Sequence, residues 1–251
     1  MSSDCAGSLK LFSHRDTWRE KPVLRRIYLE FQRLLLDQVS GDVLEIGSGT
    51  GHLSRAVGAE HSLTSLDIVL SRDLDACADA HSLPFRDQSF DGIVMLDVLH
   101  HLQRPIRFLR EAVRVLRPRS RLVLIEPGIT PVSWWFYYFL HAEPVDLSVD
   151  PLADGPLDPG WGAFDANQAI PTLLFCRREG RRRLSAVIPE LHIVSMRRLS
   201  LWAYPLSGGF QRWQLIPTCL VGPVLGLERV VLPILGPLAA FRLCVVLERA
   251  D

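Results

Sequence analysis

The stretch Asp42-Val-Leu-Glu-Ile-Gly47-Ser-Gly49-Thr-Gly51-His52 decides the fold of this chain. Its first half is a short aliphatic run that reads as a buried strand. Its second half spaces three glycines at the strand's end, where positive φ and close backbone approach are open to glycine. A helix predicted over His52 to Val57 would turn its free N–H groups toward whatever the loop holds. The spacing is GxGxG with His52 in sixth position, so the dinucleotide fingerprint GxGxxG is absent and a nicotinamide cofactor is disfavoured. Asp67 ends the next predicted strand, 20 residues after Gly47, where a carboxylate can accept from both ribose hydroxyls. Glycine loop and distant acid together point to a cofactor that contains a nucleoside.

The pattern continues outward from this unit. Upstream, Val23, Leu24, Ile27, Phe31, Leu34 and Leu35 follow helical spacing within Thr17 to Val39, with Pro22 tolerable in a first turn. Downstream, strands are predicted over Ser62–Asp67, Phe90–Leu96 and Arg121–Glu126, and helices over Pro105–Leu116 and Thr130–Leu140. Leu243–Glu248 is again strand-like. Such alternation specifies an α/β fold, a Rossmann-like doubly wound sheet, mostly parallel, with helices on both faces. Two stretches exceed a minimal sheet. His141 to Gly162 is rich in proline and aspartate and reads as an irregular lid. Pro205 to Phe241 is an apolar, proline-punctuated helical insertion before the last strand. One domain over 1–251 is expected, with an N-terminal helical segment (1–40), a cofactor core (41–140), a lid (141–190) and C-terminal strands (191–251).

After the second strand come Asp79-Ala-His-Ser-Leu-Pro-Phe85, Phe90-Asp91, the apolar run ending at Leu96, His100-His101-Leu102 and Val115-Leu-Arg-Pro-Arg-Ser-Arg-Leu122. With Val43 to Gly51 and Leu66-Asp67, this ordered set resembles the class I S-adenosylmethionine-dependent methyltransferases, in particular the subgroup that includes ubiquinone and menaquinone biosynthesis methyltransferases. The resemblance spans about residues 40 to 127 and implies a seven-stranded sheet. It also implies that Gly47, Ser48, Gly49 and Gly51 pass beneath S-adenosylmethionine and that Glu45 helps receive its ammonium group. By the same resemblance Asp67 holds the ribose, Asp79 and the Ala80 backbone meet the adenine, and Ile68 and Leu96 pack on the nucleoside. Only 11 residues separate Asp67 from Asp79, so the helix usual there is missing or vestigial, with Asp73 to Ala78 as the third strand.

Methyl transfer from a sulfonium needs orientation and exclusion of water more than a dedicated base. A hydroxyl acceptor needs proton removal, for which His101 and His100, just after the fourth strand, are the catalytic candidates, ahead of His141 and Tyr137. The histidines show no HxxxH or similar ligand spacing, so no metal is expected. Trp134-Trp-Phe-Tyr-Tyr-Phe139 concentrates six of the 21 aromatics in six consecutive positions, which suggests a small apolar or lipid-like acceptor.

The 251 residues carry 28 basic and 28 acidic side chains, which excludes bulk attraction to nucleic acid. Five widely spaced cysteines, never in a CxxC pair, fit a reducing compartment, and the first residues lack the apolar core of a secretory signal. Cytoplasmic residence is expected, with peripheral membrane contact suggested by the insertion and by Arg177-Arg-Glu-Gly-Arg-Arg-Arg183. Within the insertion, Leu215–Leu227 and Val230–Phe241 are each too short to span a bilayer, and Pro217, Pro223, Pro233 and Pro237 are expected to interrupt them. The competing reading keeps the fold without transfer, as a catalytically inactive binding or scaffold protein.

Overall fold

The computed structural model describes residues 14–49, 53–72, 74–141, 143–162 and 165–251. Seven strands form one sheet: β1 (Gly41–Ile46), β2 (His61–Asp67), β3 (Ala76–Cys77), β4 (Phe90–Leu96), β5 (Leu116–Pro127), β6 (Leu191–Leu199) and β7 (Arg242–Arg249). Their order is β3-β2-β1-β4-β5-β7-β6. The first five run parallel, and β7 lies antiparallel between β5 and β6. The order reverses between β1 and β4, and ligands of open α/β sheets bind at such a switch, beyond the strands' carboxyl ends.

Strand alternation builds two apolar layers. Leu44, Ile93, Met95, Leu122, Leu124, Val245 and Leu247 point to one face, where α2 (Pro105–Val115) contributes Phe108, Leu109 and Ala112 and α4 (Arg178–Val187) contributes Leu184. Val43, Val94, Val123, Ile125 and Val246 point to the other, which α1 (Pro22–Leu36) covers with Val23, Leu24, Ile27, Phe31 and Leu35. Pro22 begins α1, where its missing N–H costs nothing. Lys21, immediately before it, donates its Nζ to the carbonyls of Gly209, Gln211 and Trp213 at 2.7–2.9 Å and so ties the C-terminal insertion to the start of α1.

The first loop departs from expectation: in place of a helix over His52 to Val57, only a 3₁₀ turn, Leu53–Arg55, is formed. Gly51 and His52 lie outside the described residues. Between β2 and β3 the described chain contains no helix, which agrees with the short spacing there. After α3 (Pro131–Leu140), the chain from 143 to the π-helical turn at Thr172–Cys176 contains no regular element among the described residues. Asn167 anchors that segment: its side-chain amide exchanges two hydrogen bonds with the backbone of Asp146, and its N–H donates to the His100 carbonyl at 2.9 Å.

The insertion corrects the sequence reading more strongly. After the short α5 (Ala203–Ser207), Val221–Ala239 forms one helix, α6, that runs through Pro233 and Pro237. With its preceding turn it makes a 22-residue segment, Thr218–Ala239, long and apolar enough by composition to cross a membrane. Proline removes a hydrogen bond from the helix but does not end it where tertiary contacts hold both sides. Glu228 supplies such a contact, accepting the N–H groups of Leu201, Trp202 and Ala203 at 2.5–3.0 Å from a fully buried position. The arginine run is also placed differently from the expected neighbourhood. It sits on α4, which packs on the opposite face of the sheet from α6, and Arg182 and Arg183 are paired with Glu179 and Asp150.

Candidate active site

The loop after β1 turns because Gly47 and Gly49 take φ of 73° and 55°. The Gly47 N–H donates to the Leu66 carbonyl at 2.8 Å, which holds the loop against the end of β2. A Cβ at Gly47 would lie 2.2 Å from a Val98 methyl, so the residue type is required twice over, by φ and by space. Ser48 donates its hydroxyl to Glu45 at 2.5 Å. Desolvation pushes the Glu45 carboxyl up to about 7, and the nearby Asp67 charge adds to that, against the opposing Ser48 hydrogen bond. A carboxylate so placed is suited to receiving a ligand cation. Asp67 accepts the N–H groups of Gly49 at 2.8 Å and Val69 at 2.9 Å, one with each oxygen, and so shapes the loop while leaving lone pairs for hydroxyl donors.

The remaining predicted cofactor residues line the same strand ends. Ile68, just past β2, is half exposed, Leu96 is half-buried at the end of β4, and Ala80 is buried. Asp79 uses one oxygen to accept the backbone and ring N–H of His81, at 2.9 and 2.7 Å, so this acid also caps its own turn. The set offers an acid for an ammonium, an acid for a ribose and an apolar edge for a base, which fits S-adenosylmethionine.

A second group of polar residues gathers beyond β4 and β5. Asp97 sits in the left-handed region, φ 61°, directly after β4. Its carboxylate is gripped by both guanidinium Nη atoms of Arg242 and accepts from the Tyr28 hydroxyl at 2.9 Å. Burial raises its pKa, but Arg242 and His100 outweigh that and hold it below the ordinary range. Arg242 also stacks over the Tyr204 ring, 4.0 Å from its centroid. Glu126, the penultimate residue of β5, is fully buried; one oxygen accepts the N–H groups of Val98 and Leu99, and the other accepts from His100 Nδ1 at 2.6 Å.

The two predicted catalytic histidines therefore differ. His100 is buried, and although burial opposes its charge, Glu126, Asp97 and Glu143 raise its pKa above the ordinary value. His101 is driven down to about 4 by desolvation and by the His100 charge. Its Nδ1 donates to the Asp165 carbonyl at 3.0 Å, which leaves Nε2 with a lone pair able to take a proton. The rings lie 4.2 Å apart. Glu143, from the lid, comes within 3.8 Å of His100 Nε2 and 4.0 Å of His141, and receives the Gln168 amide. Tyr137 is buried, its hydroxyl donating to the Phe241 carbonyl at 3.0 Å, and its ring lies 5.3 Å from that of His141.

Asp97, Glu126, Glu143, Tyr28, Tyr204 and Arg242 escaped the sequence reading, since none belongs to a local motif. The available signal was a lone charge at the end of an apolar run, as at Asp97, Glu126 and Arg242. His100, His101 and Glu143 place donor atoms within 4.8 Å of one another, as do Asp97, His100 and Glu126. The second set is closed by Arg242 and by the backbone N–H groups on Glu126; the first has the donor types for a cation, a gathering that sequence spacing does not reveal.

A sheet in this order, with a glycine loop at its switch point and an acid ending β2, is the fold of the class I S-adenosylmethionine-dependent methyltransferases. Residues 44–124 match the methyltransferase domain family model, which supports S-adenosylmethionine as the cofactor. The chain is similar to a demethylmenaquinone methyltransferase of Thermotoga maritima, 30% identical over 49% of this chain and 56% of that protein. It is also similar to a probable tRNA methyltransferase 9B of Bos taurus, 34% identical over 37% of this chain and 23% of that protein. The chain thus spans from about a quarter to about half the length of these curated relatives. Among solved structures, a putative sarcosine dimethylglycine methyltransferase from Galdieria sulphuraria shares the fold, with a TM-score of 0.53, 15% identity and coverage of 96% and 99% of the two chains.

Proposed function

We propose that this chain transfers a methyl group from S-adenosylmethionine to a small apolar or lipid-like acceptor. The observation that carries the acceptor class is an aromatic cluster beside the buried polar group. Tyr137 and Phe136 of α3 pack edge-on against Phe241, within 5.9 Å and 5.2 Å between ring centres, next to the Asp97–Arg242 pair. Aromatic walls with a few buried polar groups suit an apolar molecule oriented by one or two hydrogen bonds. The Thermotoga maritima relative, named for a quinone-type substrate, supports the same class. The balanced charge of the chain gives no support to a nucleic-acid acceptor.

When bound, the cofactor supplies an electrophilic methyl carbon. Glu45 would receive its ammonium, Asp67 its ribose and Asp79 its adenine, while Ile68 and Leu96 would cover the nucleoside. For a hydroxyl acceptor, bound S-adenosylmethionine would supply the methyl carbon, and His101 Nε2 would take the hydroxyl proton. His101 is the candidate because its Nδ1 is occupied by the Asp165 carbonyl, which leaves Nε2 as the acceptor. Cytoplasmic residence, expected from the cysteine pattern, belongs to the same proposal.

The test is incubation with methyl-labelled cofactor and separate lipid and aqueous cell extracts, followed by mass spectrometry. A labelled product in the lipid extract is expected; label confined to water-soluble products overturns the acceptor class. Cofactor binding with no labelled product in either extract would favour a scaffold.

A further inference from the structure

Helix α6 is amphipathic in the wrong sense for water. Its inward face runs Val221, Leu225, Glu228, Leu232 and Gly236 at helical spacing, and this face carries the buried acid. Its outward face runs Leu227, Val230, Ile234 and Leu238, 53%, 73%, 77% and 58% exposed, without a charge. Neighbouring α3, which packs against α6, presents Val132, Trp135 and Phe139 in the same manner, with Trp135 64% exposed and its ring 4.3 Å from that of Phe139. Soluble domains rarely leave apolar helix faces of this extent to solvent.

The flank of α6 is basic. A cleft of about 600 Å³ lies between α1, β6 and α6, floored by Phe31, Leu34 and Leu225 and rimmed by Arg197, Arg198 and Arg229. Arg26 lies against Gly222 at the start of the helix. Arg229 pairs with Glu30, while Arg197 and Arg198 form no ion pair among the described residues.

We infer that α6 and α3 form a face that docks on an anionic lipid bilayer, with α6 lying flat in the headgroup–acyl boundary. Apolar residues, a tryptophan and flanking arginines are the elements of interfacial helices. Two features oppose crossing: Glu228 at mid-helix is spent on the backbone of residues 201–203, and Gly236 seats directly on the Arg198 side chain. A second copy of the chain is the weaker occupant, because pairing this face with itself would bring two arginine rims together. The face also adjoins the active site. α6 ends at Ala239, three residues before Arg242, and Thr130 at the cap of α3 donates to the Ala240 carbonyl at 3.1 Å. A lipid-like acceptor leaving the bilayer beside α3 would thus meet the aromatic wall first. The inference goes beyond the acceptor reading and does not depend on it, since binding to vesicles requires no turnover.

The experiment is flotation of the full chain with phosphatidylcholine vesicles, with and without phosphatidylglycerol, at low and high salt. The wild type is expected to float with the anionic vesicles and to be released by salt. The Val230→Asp/Ile234→Asp variant is expected to lose about a hundredfold in partitioning, and Arg197→Glu/Arg198→Glu to lose about tenfold or more on anionic vesicles alone. S-adenosylhomocysteine binding by calorimetry should be unchanged in both, which reports that they fold. If the aspartate variant does not fold, quenching of wild-type fluorescence by brominated lipid, reduced in Trp135→Phe, reads the same contact. Failure of the wild type to float on either vesicle overturns the inference, as does flotation unaffected by the aspartates. A dimer that the aspartates dissociate, without vesicle binding, would assign the face to a second copy.

Discussion

Arg242, the first residue of β7, closes its guanidinium on the carboxylate of Asp97 at the end of β4, 145 residues earlier in the chain. Arg242 is buried and Asp97 half-buried, with Arg242 stacked on Tyr204 and Asp97 also bonded to Tyr28. The pair joins the antiparallel half of the sheet to the cofactor half at the mouth of the site. Arg242→Met should therefore leave Asp97 as an unpaired, half-buried charge and cost about 3–5 kcal/mol in chemical denaturation. Adding Asp97→Asn should recover a substantial part of that loss. A double variant no more stable than Arg242→Met would show that packing, not charge pairing, is what Arg242 provides.

Cofactor binding should depend on pH through Glu45. Its carboxyl, raised by desolvation to about 7, must ionise to receive an ammonium, so affinity for S-adenosylhomocysteine should rise as pH climbs from 6 toward 7 and level off above. Glu45→Gln should flatten the profile and weaken binding by about tenfold at pH 8. Calorimetry at pH 6, 7 and 8 measures both. The same shift acts on the empty protein in the opposite sense: Glu45 favours folding below the ordinary carboxyl pKa, and that contribution is lost as pH rises through about 7.

The glycine loop should tolerate no side chain at its first position. Gly47→Ala forces a left-handed φ on alanine and drives its methyl into Val98. A loss of about 2 kcal/mol or more in stability is expected, together with cofactor affinity reduced beyond the range of calorimetry. Retained affinity would mean that the loop can move away from β4.

The adjacent histidines should titrate far apart. His100, raised by Glu126 against its burial, stabilises the fold fully below its unfolded value, and that contribution is lost as pH rises through its folded value. His101 works in reverse: its contribution is present at neutral pH and is lost as pH falls toward about 4. Histidine ring NMR should therefore find His101 neutral and His100 charged at pH 6.5, and Glu126→Gln should lower the His100 value. Two rings titrating together near pH 6.5 would contradict the buried network. On turnover, His101→Asn should lower kcat more than it raises KM if the acceptor is a hydroxyl.

The residues proposed for the cofactor could be picked out from the sequence because they are local to strand ends. Gly47, Ser48, Gly49 and Glu45 follow one strand, Asp67 and Ile68 end the next, and a parallel sheet brings those ends to one edge. The alternating apolar pattern likewise determined α1, α2, α3 and the core strands. Of the helix expected over His52 to Val57, the described residues form one 3₁₀ turn, Leu53–Arg55.

The polar group beyond β4 and β5 was decided by tertiary structure. Arg242 meets Asp97 only because β7 inserts antiparallel beside β5, and Glu143 reaches His100 only because Asn167 pins the lid to it. Neither pairing leaves a short-range trace, since a charge at a strand end looks the same whether it faces water or a partner. The prolines of α6 misled for a related reason. Proline weakens a helix locally, but Glu228 and the Gly236–Arg198 contact hold this one from the side. Composition revealed an apolar insertion; only the fold turned its charged residue inward and its hydrocarbon outward.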